Sequence, residues 1–201
     1  MENALVHLRQ DQTLASLIST VSLSPLPVDT DTYLALNRAI ISQQLSTKAA
    51  NTIYHRFLFL FENEPTPQQV LNTDTDTLRQ VGLSQQKTQY LQHIAQFAIS
   101  KGMSFDLLNT MTDQQIIDYL TTIKGVGKWT VEMLLIFCLG REDVFPADDL
   151  GIQQAMIHLY QLDKTDKKQL LKTMNQIAAP WQPYRSIACR YLWRWKNTTT
   201  L

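Results

Sequence analysis

The chain has 201 residues, 44% apolar and 18% charged, with a formal net charge of zero. This composition excludes a disordered chain, and the neutral balance excludes the uniformly basic coat of a protein that binds nucleic acid only non-specifically. Apolar stretches break well short of membrane-spanning length and the first thirty residues lack an apolar h-region. Neither a transmembrane segment nor a signal peptide is therefore expected, and the protein is expected inside the cell, in cytoplasm and nucleoid or in the nucleus. Length alone leaves one or two domains open.

Apolar residues recur at helical spacing. Asp29, Thr30 and Asp31 are good caps for a long stretch that begins with Tyr33, Leu34, Leu36, Ile40 and Ile41 and continues through Ala49, Ala50, Ile53, Tyr54 and Phe57. The pattern returns over residues 87–100, with Lys101-Gly102 as a stop. Asp113 opens a further helix through Ile116, Ile117, Leu120 and Ile123. Trp129 to Leu139 follows, ended by Gly140, and then Asp149 to Tyr160 and Pro183 to Lys196. No run alternates with period two between hairpin turns, so the fold class is all-α. The two cysteines, Cys138 and Cys189, are too few for a four-cysteine zinc or iron–sulfur site and are expected to be buried thiols.

The neutral total hides an asymmetry. Residues 1–118 hold 7 Lys+Arg against 11 Asp+Glu, and residues 119–201 hold 11 against 7. The basic part contains Ile123-Lys124-Gly125-Val126-Gly127-Lys128-Trp129-Thr130. Glycines there permit positive φ and close backbone approach, while Ile123 and Val126 can tuck inward. The helix that follows presents backbone N–H groups without internal partners, which attract anions, and Lys124 and Lys128 add charge. Such a turn cradles phosphate without reading bases, although a plain interhelical turn has the same glycines. The spacing is not that of a Walker loop.

Beyond it stands Phe145-Pro146-Ala147-Asp148-Asp149, before a helical run. One acid is expected to cap that helix, and the other to point into a cleft. A carboxylate placed there can stabilise a cationic, sugar-like transition state and orient water. Trp129, Trp181, Tyr184, Tyr191, Trp193 and Trp195 supply aromatic faces, either for the core or for stacking on an extruded, positively charged base.

Together these blocks resemble the helix–hairpin–helix DNA glycosylase superfamily, and within it the 3-methyladenine glycosylase II, or alkylation-repair, branch. The matching text is residues 120–130, then Asp143-Val144-Phe145-Pro146-x-Asp148-Asp149. An earlier block, Ala39 to Ala50 with Gln43-Gln44-Leu45, and a later one, Trp181-x-Pro183-Tyr184-Arg185-Ser186, agree in order. The resemblance implies a two-lobed helical bundle with the active-site cleft between lobes. The expected lobes are residues 35–140, ending in the hairpin motif, and residues 1–34 plus 141–201, within one compact catalytic unit.

The resemblance also implies roles. Asp149 is the catalytic carboxylate, with Asp148 and Arg185 structural. Lys124, Gly125, Val126, Gly127, Lys128 and Thr130 bind DNA phosphate. The carbonyls of Ile123 and Val126 can hold a monovalent cation, Na+ or K+, and no other cofactor is expected. Gln43, Gln44 and Leu45 fill the gap left by the flipped nucleotide, with Gln44 the best wedge candidate. Trp129 and Trp193 fall where the branch lines its base pocket. Met133 and Leu150 occupy further pocket positions that are aromatic in some relatives, so this pocket is expected to be less aromatic.

Trp129 also stands where bifunctional members carry a catalytic lysine, so base excision without strand cleavage is expected. The extra N-terminal β domain of larger relatives is not expected. The implied partner is double-stranded DNA containing alkylated bases, engaged by a monomer, with no membrane. Two other readings fit some of the residues: a glycosylase of the same fold for oxidised or mismatched bases, and a non-catalytic DNA-binding module.

Overall fold

The computed structural model describes residues 2–26 and 30–198, and of Thr47 the backbone alone. Asp29, one of the expected caps, lies outside these residues. The helices are, in chain order, α1 (Glu2–Leu8), α2 (Gln12–Thr20), α3 (Thr32–Ser42), α4 (Thr47–Leu60), α5 (Pro67–Asn72) and α6 (Thr75–Gln80). They continue as α7 (Gln85–Lys101), α8 (Phe105–Asn109), α9 (Asp113–Leu120), α10 (Lys128–Phe137), α11 (Leu150–Tyr160), α12 (Lys167–Ala178) and α13 (Arg185–Thr198). A short 3-10 turn, Ala179–Trp181, joins the last two. Among the described residues there is no strand, and no helix is long and apolar enough to cross a membrane.

The expected long stretch from Tyr33 to Phe57 is two helices. α3 stops at Ser42, the Gln43–Ser46 segment turns, and Ser46 caps α4 by accepting the Ala49 N–H. The break falls where Gln44 takes a left-handed φ of 57°, a conformation that a non-glycine residue adopts only when its surroundings impose it. Apolar periodicity runs on through both helices and so conceals the turn. The stop at Lys101-Gly102 stands as expected: Gly102 has φ 77° and its N–H donates to the Ala98 carbonyl.

Contacts divide the chain into two units, Val28–Leu139, and Met1–Pro27 with Gly140–Leu201. A division at 34/35 would cut α3, which packs along α7, α10 and α4 and stays with the larger unit. The buried residues of α3 are Thr32, Tyr33, Leu36, Asn37, Ile40 and Ile41, the spacing of one helix face. α3 packs on α7 and α10, whose Leu91, Ile94, Ala95, Val131 and Leu135 are wholly buried. Truncating Leu91 or Ile94 to alanine costs about 2–5 kcal/mol on general grounds.

The other unit is built around α11 and α13, with α2 on α13 and α12 on the 3-10 turn. Its core includes Leu8, Leu14, Ile152, Met156, Met174, Trp181 and Leu192. Asp11 ties this unit together. One carboxylate oxygen caps α2, accepting from Thr13 and Leu14, and the other accepts from Tyr160 Oη at 2.9 Å and Trp181 Nε1 at 3.0 Å. Burial, then the Asp11 charge, pushes the Tyr160 phenol up, so this hydroxyl remains a donor throughout the physiological range.

Candidate active site

The phosphate-type turn forms as the residues dictate. Ile123 and Val126 are buried, and the Val126 N–H donates to the Ile123 carbonyl at 3.0 Å, closing the hairpin between α9 and α10. Gly125 has φ 98°, and a Cβ there would lie 2.2 Å from Cγ of Tyr90, so the position is closed to any side chain. Gly127 differs: its φ is −97° and a Cβ would meet nothing within 4 Å. Its surroundings within the protein do not require glycine.

The first turn of α10 is open to an anion. Every other helix from α2 to α12 has an N-cap side chain that accepts a backbone N–H, whereas α10 starts from Gly127 with no side-chain cap. The leading N–H groups of α10, with the partial positive charge of the helix end, face outward beside the exposed Lys124 and Lys128. Lys128 also makes a 3.5 Å ion pair with the buried Glu132, which fixes its stem along α10. Thr130 turns its side chain inward. It is 2% exposed, and its hydroxyl accepts from Gln43 Nε2 at 3.1 Å, so only its backbone N–H can serve an anion.

The same bond sorts the three wedge candidates. Gln43 is half-buried and turned onto Thr130, while Gln44 and Leu45 are exposed. Trp129 and Met133 are half-buried on α10.

In the other unit, Asp149 is the N-cap of α11, accepting the Ile152 N–H on Oδ1 at 2.8 Å. The expectation that one acid caps and the other acts is therefore corrected, because the cap is Asp149 itself. Asp148 is exposed, one residue too early to reach the N–H groups of the first turn. Trp193 Nε1 donates to the same Oδ1 at 2.8 Å, so two N–H groups fix a carboxylate that is 9% exposed. Bonds from N–H donors to a carboxylate are charge-assisted and hold it more firmly than neutral pairs.

Gly151, which the sequence reading passed over, makes this approach possible. A Cβ at 151 would sit 3.0 Å from Asp149 Oδ1, 3.1 Å from Trp193 Cδ1 and 3.3 Å from Trp193 Nε1. Leu150, an expected pocket residue, is 65% exposed at the first position of α11 beside the acid. A large apolar side chain left in solvent there has no packing reason within its own unit.

The loop that delivers Asp149 is clamped from α13. Arg185 Nε donates to Asp143 Oδ1 at 2.6 Å and its Nη2 to Asp143 Oδ2 at 3.0 Å, a two-point pair reinforced by a 3.0 Å bond to the Asp143 carbonyl. Ser186 N donates to the Glu142 carbonyl and Ser186 Oγ accepts from Val144 N, both at 2.9 Å. Phe145 packs edge-on against Trp181, and Gln153 Nε2 holds the Ala147 carbonyl at 2.8 Å. Arg185 thus ties the start of α13 to the loop that leads to Asp149. Cys138 and Cys189 are buried thiols, one in each unit.

The described residues are all-helical, with a hairpin between α9 and α10 and a buried carboxylate at the start of α11. The chain belongs to the HhH-GPD superfamily of base excision DNA repair proteins, whose family model matches residues 38–183. DNA-3-methyladenine glycosylase 1 of Schizosaccharomyces pombe is 41% identical over 165 residues, covering 81% of this chain and 71% of that protein. The alkylbase DNA glycosidase-like protein mag2 of the same organism is 35% identical over 191 residues, covering 92% and 88%. The solved structure of the S. pombe 3-methyladenine DNA glycosylase Mag1 in complex with abasic DNA superposes with a TM-score of 0.86 at 34% identity, over 98% of both chains.

Proposed function

We infer that this protein is a monofunctional DNA glycosylase of the 3-methyladenine class, which hydrolyses the N-glycosidic bond of alkylated bases in double-stranded DNA and leaves an abasic site. Among its structural features, the Asp149 carboxylate carries the reading most directly: it is buried, fixed by the Ile152 and Trp193 N–H groups, and delivered by a clamped loop. Alkylation at N3 or N7 puts positive charge on a purine and weakens its bond to the sugar. The leaving group then needs little protonation, and the main requirement is a negative charge opposite the sugar carbon as it becomes cationic. Asp149 supplies that charge and orients water. Its preset position means that little reorganisation accompanies the reaction.

The hairpin and the start of α10 bind the DNA backbone, with Lys124 and Lys128 beside the phosphate. A Na+ or K+ ion on the carbonyls of Ile123 and Val126 fits this turn. Ile123 O already accepts the Val126 N–H, but a carbonyl retains a second lone pair. Such an ion would offset phosphate charge. Gln44 and Leu45 are the exposed side chains that fill the gap in the duplex, and Leu150 and Trp193, beside Asp149, are assigned to the base. Trp129 leaves no amine at the position where a lysine would form a covalent sugar adduct, so the strand stays intact. The protein works where the cell keeps its DNA.

Incubation with methylated duplex DNA tests this reading. Mass spectrometry of the supernatant is expected to find free 3-methyladenine or 7-methylguanine. Gels are expected to show strand breaks only after alkali. Absence of released base, or breaks without alkali, contradicts it.

A further inference from the structure

The hairpin and the Gln43–Ser46 turn rest on one stripe of α7. Lys87, Tyr90 and His93 are three residues apart and so share a face of that helix. Tyr90 packs its ring under Gly125, where even a Cβ would collide. His93 Nδ1 lies 3.4 Å from the Lys124 carbonyl. Lys87 reaches the other turn: its Nζ donates to the Ile41 carbonyl at 2.8 Å and to the Gln43 carbonyl at 2.7 Å.

These carbonyls lie at the end of α3, where helix oxygens lack internal donors and the helix dipole favours a cation. The contact also removes an ammonium partly from water. Burial accordingly pulls the Lys87 pKa below its ordinary value. A second tie, Gln43 Nε2 to Thr130 Oγ1 at 3.1 Å, joins the turn to the first turn of α10. Between these anchors Gln44 is held at φ 57°.

We propose that Lys87 is a positioning residue for base extrusion: it locks the turn carrying Gln44 and Leu45 in register with the phosphate-binding hairpin. The inference rests on the glycosylase reading above. A side chain that enters a base stack must resist the restacking of the duplex, and a turn in a left-handed conformation holds its shape only if its neighbours fix it. The hairpin fixes the strand. Lys87 fixes how far from that strand the wedge stands. A merely stabilising lysine would affect the melting temperature and leave extrusion by the folded protein unaltered.

The test uses a duplex with a 2-aminopurine next to one alkylated base, whose fluorescence rises when the neighbour leaves the stack. Lys87→Met keeps the stem and removes the charge and donors. The folded variant is expected to lose at least about five-fold in fluorescence amplitude and in single-turnover release, with affinity for undamaged duplex within about two-fold of wild type. Lys87→Arg is expected to restore both. Unchanged amplitude and rate in Lys87→Met overturn the proposal. So does an affinity loss that matches the rate loss. If Lys87→Met does not fold, Thr130→Val is read in the same assay. Lower amplitude supports the locked turn, and wild-type amplitude overturns it. A wild-type protein that shows no base release overturns the glycosylase reading itself, and the role of Lys87 falls with it.

Discussion

Replacing Trp193 by phenylalanine removes one of the contacts that fix the Asp149 carboxylate, the group proposed to be catalytic. A smaller aromatic ring is kept in place of the indole, and the 2.8 Å bond from Nε1 to Asp149 Oδ1 is removed. A hydrogen bond to a charged group is worth about 1.5–3 kcal/mol, and Asp149 keeps the Ile152 N–H, so the fold should stand while the carboxylate gains freedom. If that energy is expressed in the transition state, the rate of base release falls by about 10- to 100-fold, since each 1.36 kcal/mol is tenfold. Gly151→Ala attacks the same contact from the other side, because its Cβ would press to 3.0 Å from Oδ1 and 3.1 Å from the indole. The two losses should therefore overlap. The double variant should be little slower than the worse single variant, giving a coupling in the range of about 0.5–3 kcal/mol for groups in contact. Single-turnover release of methylated bases at saturating enzyme is the assay, with thermal unfolding as the control. An unchanged rate in Trp193→Phe, or fully additive losses, refutes the claim that this contact positions the acid.

Further expectations concern the two glycines of the hairpin and the hub of the smaller unit. Gly127→Ala should leave stability within about 1 kcal/mol, because its Cβ meets nothing, while lowering duplex affinity at every salt concentration measured. Gly125→Ala, at φ 98° and against Tyr90, should instead destabilise the fold by about 1–3 kcal/mol in denaturant melts. Equal behaviour of the two variants contradicts the division between phosphate contact and packing. Asp11→Ala removes the α2 cap and the acceptor of Tyr160 and Trp181, and should cost about 2–4 kcal/mol in urea unfolding without changing the rate of the folded enzyme.

Much of the site was legible in the sequence because the hairpin is local. Ile123, Gly125, Val126 and Gly127 specify their turn by size and backbone freedom alone, and residues 128–137 announce their helix. The features that had no local signal to read are of three kinds. α5, α6 and α8 are 6, 6 and 5 residues long, too short to show a period. The turn at Gln43–Ser46 contains no glycine or proline, because tertiary ties through Lys87 and Thr130 impose the positive φ of Gln44. The partnership of Asp149 with Trp193 spans 44 positions, so neither its bond nor the need for Gly151 has a local signal. α12 is different: Asp166 caps a stretch with Leu170, Leu171, Met174 and Ile177 at helical spacing, a pattern that was readable and was missed.

The most direct test of the account is the rate at which Asp149→Asn releases alkylated bases from duplex DNA in a single turnover. Asparagine caps a helix as well as aspartate does, and its carbonyl can accept from the Ile152 N–H, so the variant should fold and bind while losing only the charge. The account predicts release slowed by about 100-fold or more, with duplex affinity unchanged. Release by the folded variant at close to the wild-type rate would contradict the assignment of Asp149 as the catalytic group.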